Sequence, residues 1–282
     1  MHMKLNEILG KNLLAQSIVQ FDVYHPDIAS HARAGQFVVV RKDDHAERIP
    51  LTIVDFDPSV GTIRLIIQEV GVSTKKLCAM DKGEAIRDIL GPLGRPSEIK
   101  KFGTAVCVGG GVGIAPLYPV AKALKQAGNR VLSIIGARTK DLFILEQEMR
   151  AVSDELHLCT DDGSAGFRGF VSGKLAELIG SGIQMDRVWA IGPDVMMAAV
   201  VETTRPHAIP TIVSLNTLMV DGTGMCGGCR ITVDGQTRFV CVDGPEFDGH
   251  QVKFDELLKR SKMYVSQEKR ALQEHECKLN IH

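Results

Sequence analysis

The chain has 282 residues, 44% of them hydrophobic, and a formal net charge of −1. That length suffices for two domains at about 100–200 residues each, and the balanced charge excludes the broadly basic surface that nucleic acid or an anionic membrane would require. Apolar runs such as Thr104–Cys107 and Val131–Ile135 are far too short to span a bilayer, and the opening MHMKLNEILGKNLLAQ has no long apolar core and no small-residue cleavage site. Of seven cysteines, Cys78, Cys107, Cys159 and Cys277 are scattered, two of them in apolar strand-like runs. This is not the dense pattern of a secreted disulfide framework, so a cytoplasmic protein with a few buried thiols is expected.

Residues 1–100 are β-rich. GQFVVVRK, PLTIVDFD and TIRLIIQEV are short runs of Val, Ile and Thr separated by Gly, Asp and Pro, a spacing that predicts a small antiparallel barrel or sandwich. Residues 101–214 alternate differently. TAVCVGGG, VLSIIGAR, ELHLCTDD, RVWAIG and PTIVSL read as strands. Between them APLYPVAKALKQAG, DLFILEQEMRAV, SGKLAELIGSG (a Ser start and a Gly stop) and Pro193–Thr204 read as helices. Such alternation predicts a doubly wound parallel sheet. In residues 215–252, ITVDGQTRFVCV reads as a hairpin turning at Asp234-Gly235. Residues 253–282 are charged and helical, with an apolar stripe at Leu257, Leu258 and Met263 that would pack on the body or on a partner.

Gly109-Gly110-Gly111-Val112-Gly113-Ile114-Ala115-Pro116 follows a strand and opens a helix. Glycines let the backbone approach a pyrophosphate, and the helix N-terminus offers free N–H groups and partial positive charge. Gly110, Gly111, Gly113 and Pro116 are therefore candidate nucleotide contacts, a tight turn without ligand being the alternative. The spacing is not the G-x-G-x-x-G fingerprint with an acid about twenty residues on. The second strand ends in Gly136-Ala137-Arg138. Arg138 would suit a 2′-phosphate and hence NADP, or it is a solvated loop arginine. Gly192-Pro193 closes a second turn at the same sheet edge, where ligands of such sheets bind. Asp161 and Asp162 follow the third strand there, as ribose partners or as loop caps.

In ERIPLTI, Arg48 is suited to pair with a phosphate and Thr52 to hydrogen-bond a ring or phosphate, although taken alone the pattern fits an ordinary surface arginine and strand threonine better; LGPLGRP, Leu90 to Pro96, precedes the nucleotide segment. Together R-x-P-L-T, GPLG and GGGVGIAP resemble the ferredoxin–NADP reductase superfamily, whose first domain binds a flavin and whose second binds a nicotinamide nucleotide. The resemblance implies flavin contacts at Arg48, Pro50, Leu51 and Thr52, at Gln68, Ser73 and Thr74 within QEVGVST, and at Gly91, Leu93 and Gly94. The family's usual Arg-x-Tyr-Ser is absent, so Pro50 and Leu51 would give the flavin an aliphatic contact in place of a stacked tyrosine.

DGTGMCGGCR, Asp221 to Arg230, sets two cysteines among four glycines, and Cys241 follows. Plant-type [2Fe–2S] sites use C-x4-C-x2-C with a distant fourth cysteine. Here Asp221-x4-Cys226-x2-Cys229-x11-Cys241 places an aspartate where the first cysteine would stand. A carboxylate binds ferric iron as a harder ligand than thiolate. A tetrahedral zinc held by Cys226, Cys229, Cys241 and one further ligand is the competing reading.

MVDGTGMCGGCR with FVCVDGPEFDGH resembles the small subunit of the NADH-dependent reduced ferredoxin:NADP oxidoreductases, also called the sulfide dehydrogenase beta subunit. The likeness runs from about residue 3 to residue 260. It implies a flavin domain built as an antiparallel β-barrel, a nucleotide domain and a small C-terminal iron–sulfur domain. It also implies a cluster held by Asp221, Cys226, Cys229 and Cys241, FAD, and NAD(H); Arg138 argues for NADP(H) instead. A larger partner subunit carrying its own flavin and [4Fe–4S] clusters (glutamate synthase small-subunit-like), with ferredoxin engaged through the complex, completes the implication. Hydride would pass from the nicotinamide to the flavin and leave as single electrons through the cluster, with no catalytic acid or base required. Two rivals stand beside this reading. One is a dihydroorotate dehydrogenase-type electron-transfer subunit, whose cluster is typically all-cysteine. The other is a non-enzymatic, zinc-stabilised interaction module.

Overall fold

The computed structural model describes residues 3–279; residues 1–2 and 280–282 of the outermost expected segments lie outside it. The first unit runs β1 (Ile8–Ala15), β2 (Ile18–Tyr24), α1 (Pro26–His31), β3 (Phe37–Arg41), β4 (Ile49–Thr52), β5 (Asp55–Asp57), β6 (Thr62–Gln68), α2 (Val72–Cys78) and β7 (Asp88–Leu93). Its strands form two antiparallel sheets, ordered β1-β2-β6-β5 and β4-β3-β7. The expected closed barrel is not found among the described residues. The run PLTIVDFD is also not one strand. It leaves the smaller sheet after Thr52 and enters the larger one at Asp55, and the crossing residues Ile53 and Val54 are buried.

β6 explains why these sheets need covering on both sides. Ile63, Leu65 and Ile67 face one core with Val19, Phe21 and Val23. Ile66 points the other way and joins Val54 against Ile114 and Ala115 of the second unit. Burial of each such side chain contributes about 1.5–3 kcal/mol, so the two units share apolar surface. Lys122 Nζ adds an ion pair to Asp55 Oδ1 at 2.9 Å across the same junction.

The second unit runs β8 (Thr104–Gly110), α3 (Ile114–Gln126), β9 (Arg130–Ala137), α4 (Glu146–Val152), β10 (Glu155–Thr160), β11 (Phe167–Arg168), α5 (Val171–Gly180), β12 (Arg187–Ile191), α6 (Asp194–Thr204) and β13 (Thr211–Ser214). It is followed by β14 (Arg230–Val233), β15 (Gln236–Phe239), α7 (Val240–Asp243), β16 (Glu246–Asp248), α8 (Phe254–Ser261) and α9 (Val265–Leu279). One sheet runs β11-β10-β9-β8-β12-β13-β16. All its pairs are parallel except β13–β16. Alternate strand residues separate to two faces: Val106, Val108, Leu132 and Ile134 pack with α5 and α6, while Ala105, Cys107, Val131 and Ile135 pack with α3 and α4.

Several local expectations change. The sheet is mixed because β16, unseen in the sequence, returns antiparallel onto β13. DLFILEQEMRAV is helical only from Glu146; a 3-10 turn covers Lys140–Leu142, and Leu145 is left-handed at φ 53°. α5 starts at Val171 with Phe170 in the capping position, so Ser172 is not the cap. The hairpin of β14 and β15 ends at Phe239, and Cys241 sits in the helical turn α7 rather than on a strand. In the tail Leu257 is buried, whereas Met263 is exposed and does not continue the apolar stripe.

Trp189 on β12 is 1% exposed and meets Phe102 edge-on with ring centroids 5.4 Å apart. Trp189→Ala leaves a large cavity and is expected to cost about 3–5 kcal/mol, measured by urea unfolding followed by circular dichroism. An unchanged midpoint would contradict this packing.

Candidate functional site

Three groups of sequence-predicted residues meet around β3 and β6. Arg48 precedes β4, whose Pro50 stands opposite Val39 and whose Thr52 stands opposite Phe37. On the other side of β3, β7 carries Gly91 and Leu93, with Leu93 opposite Phe37, and Gly94 follows beside the Phe37 ring. RIPLT and GPLG, well separated along the chain, thus flank one strand. Gln68 ends β6 with its side chain exposed. Ser73 Oγ donates to Glu47 Oε2 at 2.5 Å, which draws the start of α2 toward Arg48. Thr74 already caps that helix: its hydroxyl accepts from Val70 N and Gly71 N, both at 3.0 Å.

The glycine cradle lies at the carboxyl end of β8, beside β6. Its glycines differ in purpose. A Cβ on Gly113 would stand 2.4 Å from Ile191 O, so this glycine lets the turn after β8 touch the end of β12. Gly111, at φ +56°, has nothing within 4 Å of its Cβ direction and faces open space. Gly110, Gly192 and Pro193 gather beneath Met196, a residue the sequence did not single out. Pro116 lies in the first turn of α3. This is the crevice at the point where strand order reverses, β9 lying on one side of β8 and β12 on the other, the place where ligands of such sheets bind. Asp194 opens α6 at its rim, and burial raises its carboxyl while the Ser261 hydroxyl opposes the shift. Arg138 and Asp162 are both exposed at the ends of β9 and β10, farther along the edge. Asp162 accepts from Ser164 N at 2.9 Å and Ser164 Oγ at 2.7 Å, which holds its carboxyl below the usual range and gives it a loop-capping role.

The loop Asp221–Arg230 rests directly on the first unit. A Cβ on Gly222, at φ +75°, would stand 2.7 Å from Val39 Cγ2 and 2.9 Å from Leu93 Cδ1. Arg95 N donates to Gly244 O at 2.7 Å, tying the end of β7 to the segment after Cys241. The four sequence-predicted donors stand as two pairs: Asp221 Oδ1 lies 3.4 Å from Cys226 Sγ, and Cys229 Sγ lies 3.3 Å from Cys241 Sγ. The second separation is far beyond a disulfide bond of about 2.05 Å. Among the described residues no three donors surround a single point. Two pairs match a two-iron cluster, in which each iron takes two protein ligands; a structural zinc needs all four around one ion.

Backbone N–H groups also converge on these donors. Asp221 accepts from Thr223 N at 3.1 Å, Met225 N at 3.0 Å and Cys226 N at 2.9 Å. Cys226 Sγ accepts from Gly228 N, and Cys229 Sγ from Cys241 N, both at 3.4 Å. Burial works against the Asp221 carboxylate, yet the N–H of Thr223 and the thiol and N–H of Cys226 hold its carboxyl below the usual range. Cys241 is pushed up to about 12, first by burial and then by the Cys229 thiol, with the Gly224 N–H opposing. A bound cation inverts that preference by deprotonating its thiols outright. The donor set therefore fits an iron–sulfur centre. By contrast Cys78 and Cys107, each pushed up to about 12 by burial, and Cys159, pushed up to about 11, are inert core thiols.

Comparison with known proteins agrees with this geometry. Residues 107–202 match the oxidoreductase NAD-binding domain family, and residues 216–253 match the iron–sulfur cluster binding domain of dihydroorotate dehydrogenase B. Together with the fold they define an electron-transfer subunit of the ferredoxin–NADP reductase type. The chain is 49% identical to a "dihydroorotate dehydrogenase B (NAD(+)), electron transfer subunit homolog" of Thermotoga maritima, over 94% of this chain and 93% of that one. It is 35% identical to the corresponding dihydroorotate dehydrogenase B subunit of Enterococcus faecalis, over 87% and 96%. A chain of the solved NADH-dependent reduced ferredoxin–NADP oxidoreductase superposes with a TM-score of 0.92 at 47% identity, covering 97% of this chain and 99% of that one. The Amycolatopsis cytochrome P450 reductase, at 19% identity with a TM-score of 0.61, shares the fold. The chain belongs to the family of electron-transfer subunits that includes those of dihydroorotate dehydrogenase B and of NADH-dependent reduced ferredoxin–NADP oxidoreductase.

Gly113→Ala drives a methyl group into the Ile191 carbonyl and is expected to cost about 1–3 kcal/mol, seen as a lower Tm in calorimetry. An unshifted Tm would mean that β8 and β12 do not close on each other at this glycine.

Proposed function

We propose that this chain carries FAD, a nicotinamide nucleotide and a [2Fe–2S] cluster, and passes electrons between NAD(H) and a larger partner subunit of a ferredoxin:NADP bifurcating complex. The observation that carries the reading is the convergence of the three candidate sites: β3 lies between RIPLT and GPLG and under the cluster loop, while β6 reaches the glycine cradle. A flavin accepts two electrons as hydride and releases them singly, which is what joins a nicotinamide to a one-electron centre.

The roles then divide among the chain's own residues. Arg48, Thr52 and the Gly91–Gly94 stretch hold the flavin, with Pro50 and Leu51 as its aliphatic contacts and Gln68, Ser73 and Thr74 beside it. Gly111, facing open space, admits the nucleotide pyrophosphate to the N-terminus of α3, and Gly110 and Gly113 hold the turn that shapes the cradle. Pro116, Gly192 and Pro193 complete the crevice, and Arg138 and Asp162 lie at its far margin. Asp221, Cys226, Cys229 and Cys241 hold the cluster, and the loop N–H groups stabilise the anionic donors. On this reading residues 1–100 serve flavin, 101–214 nucleotide and 215–252 cluster, residues 253–282 form a helical tail, and the protein works in the cytoplasm. Among the described residues no helix is long and apolar enough to cross a membrane.

A docking face for the partner is supported beside the loop. Leu218, Val220, Met225 and Val242 are all exposed, Met225 to 89%. Exposed apolar groups clustered in this way mark protein contacts. The superposition on the ferredoxin–NADP oxidoreductase chain, at a TM-score of 0.92 over 97% of this chain, supports the bifurcating complex over dihydroorotate oxidation. The aspartate in the first ligand position points the same way.

Anaerobic titration of the purified protein with NADH is expected to bleach flavin and cluster absorbance together and to generate an EPR signal. A colourless protein without iron would sink the proposal. Asp221→Cys is expected to retain the cluster at a more negative potential, because thiolate donates more charge than carboxylate; an unchanged potential would remove Asp221 from the ligand set.

A further inference from the structure

Arg260 is the last-turn arginine of α8, and its Nη2 donates to Gly228 O at 3.0 Å. Gly228 belongs to the Gly227–Gly228 pair between Cys226 and Cys229, and Arg230 Nη1 makes the matching bond to Gly227 O at 3.3 Å. The C=O and N–H of one trans peptide are coplanar and point in opposite directions. A donor that holds a carbonyl outward therefore turns the N–H of the same peptide inward. For the Gly227–Gly228 peptide the inward N–H is the one 3.4 Å from Cys226 Sγ. For the Gly228–Cys229 peptide the holder is Arg260.

Arg260 is well placed to act as a fixed strut. Leu257, one turn back, is 3% exposed, Lys253 N donates to Thr232 O at 3.1 Å, and α8 packs on α6. Glu256, the nearby acid on the same helix, is engaged by Thr232 Oγ1 at 2.6 Å. The half-buried guanidinium gives its hydrogen bond to a neutral carbonyl, and no carboxylate pairs with it among the described residues.

We propose that Arg260 is a positioning residue of the cluster loop: it holds the Gly228–Cys229 peptide so that the Cys229 N–H faces the cluster, and its charge, unpaired with any carboxylate among the described residues, raises the cluster's reduction potential. This rests on the cluster assignment above. A [2Fe–2S] centre with four anionic ligands is negatively charged and gains one further negative charge on reduction. A nearby cation favours the reduced form, and N–H groups aimed at the sulfurs act in the same direction.

The test is an anaerobic EPR redox titration of the parent, Arg260→Gln and Arg260→Lys proteins, with iron content measured on each. Arg260→Gln is expected to keep its iron, to titrate at a more negative potential and to show altered g values. Arg260→Lys, which retains the cation, is expected to return the potential toward that of the parent. Parent-like potential and g values in Arg260→Gln would overturn the proposal. Should Arg260→Gln load no iron, Arg260→Lys decides: a loaded cluster with the parental spectrum supports the strut, and equal loss of iron overturns it. A parent protein without iron would instead overturn the cluster assignment, so the two failures are separable.

Discussion

The absence of a side chain at position 222 governs the arrangement of this molecule. A Cβ there would overlap Val39 and Leu93, at 2.7 Å and 2.9 Å, and the cluster loop would be lifted off the sheet. With glycine in a left-handed conformation, φ +75°, the loop settles on β3 and β7. Those are the strands that carry or adjoin Pro50, Thr52, Leu93 and Gly94, the residues proposed to contact the flavin. Close backbone approach at one residue thus sets the distance between a one-electron centre and the site proposed for its two-electron neighbour.

The nucleotide crevice obeys a related constraint. Gly113 and Gly192 bring the carboxyl ends of β8 and β12 into contact, which leaves Gly111 as the glycine facing open space. The crevice is oriented toward the first unit because Ile63, Leu65 and Ile67 of β6 serve its own core while Ile66, on the opposite and otherwise polar face, packs on the start of α3. Shared apolar surface of this kind resists relative motion of the two units better than the partly exposed Lys122–Asp55 pair does, since ion pairs near the surface contribute about 0.2–1 kcal/mol.

Electrostatics separate the working cysteines from the idle ones. Cys78, Cys107 and Cys159 lie in apolar surroundings that raise their thiols and keep them neutral. The Asp221–Arg230 loop instead turns successive N–H groups onto Asp221 and Cys226. Glycines make this possible, because three of the four in that loop adopt positive φ. Two arginines then hold the carbonyls of Gly227 and Gly228, so the Gly227–Gly228 peptide is engaged at both its C=O and its N–H.

The sequence by itself determined the order of the units, the parallel strand–helix alternation, the glycine cradle and the donor spacing Asp221, Cys226, Cys229, Cys241, because each is written in local periodicity or in short-range spacing. It was silent on β1 and β16 and on the break of PLTIVDFD between two sheets. It misread Cys241 as a strand residue, since a four-residue helical turn leaves no periodic trace. Only the tertiary structure decided that RIPLT and GPLG flank one strand, that Gly222 seats the cluster loop there, that the donors stand in two pairs, and that Arg260 reaches Gly228. Each of these is a contact between residues distant in the chain, made by packing in three dimensions, and no local pattern encodes it.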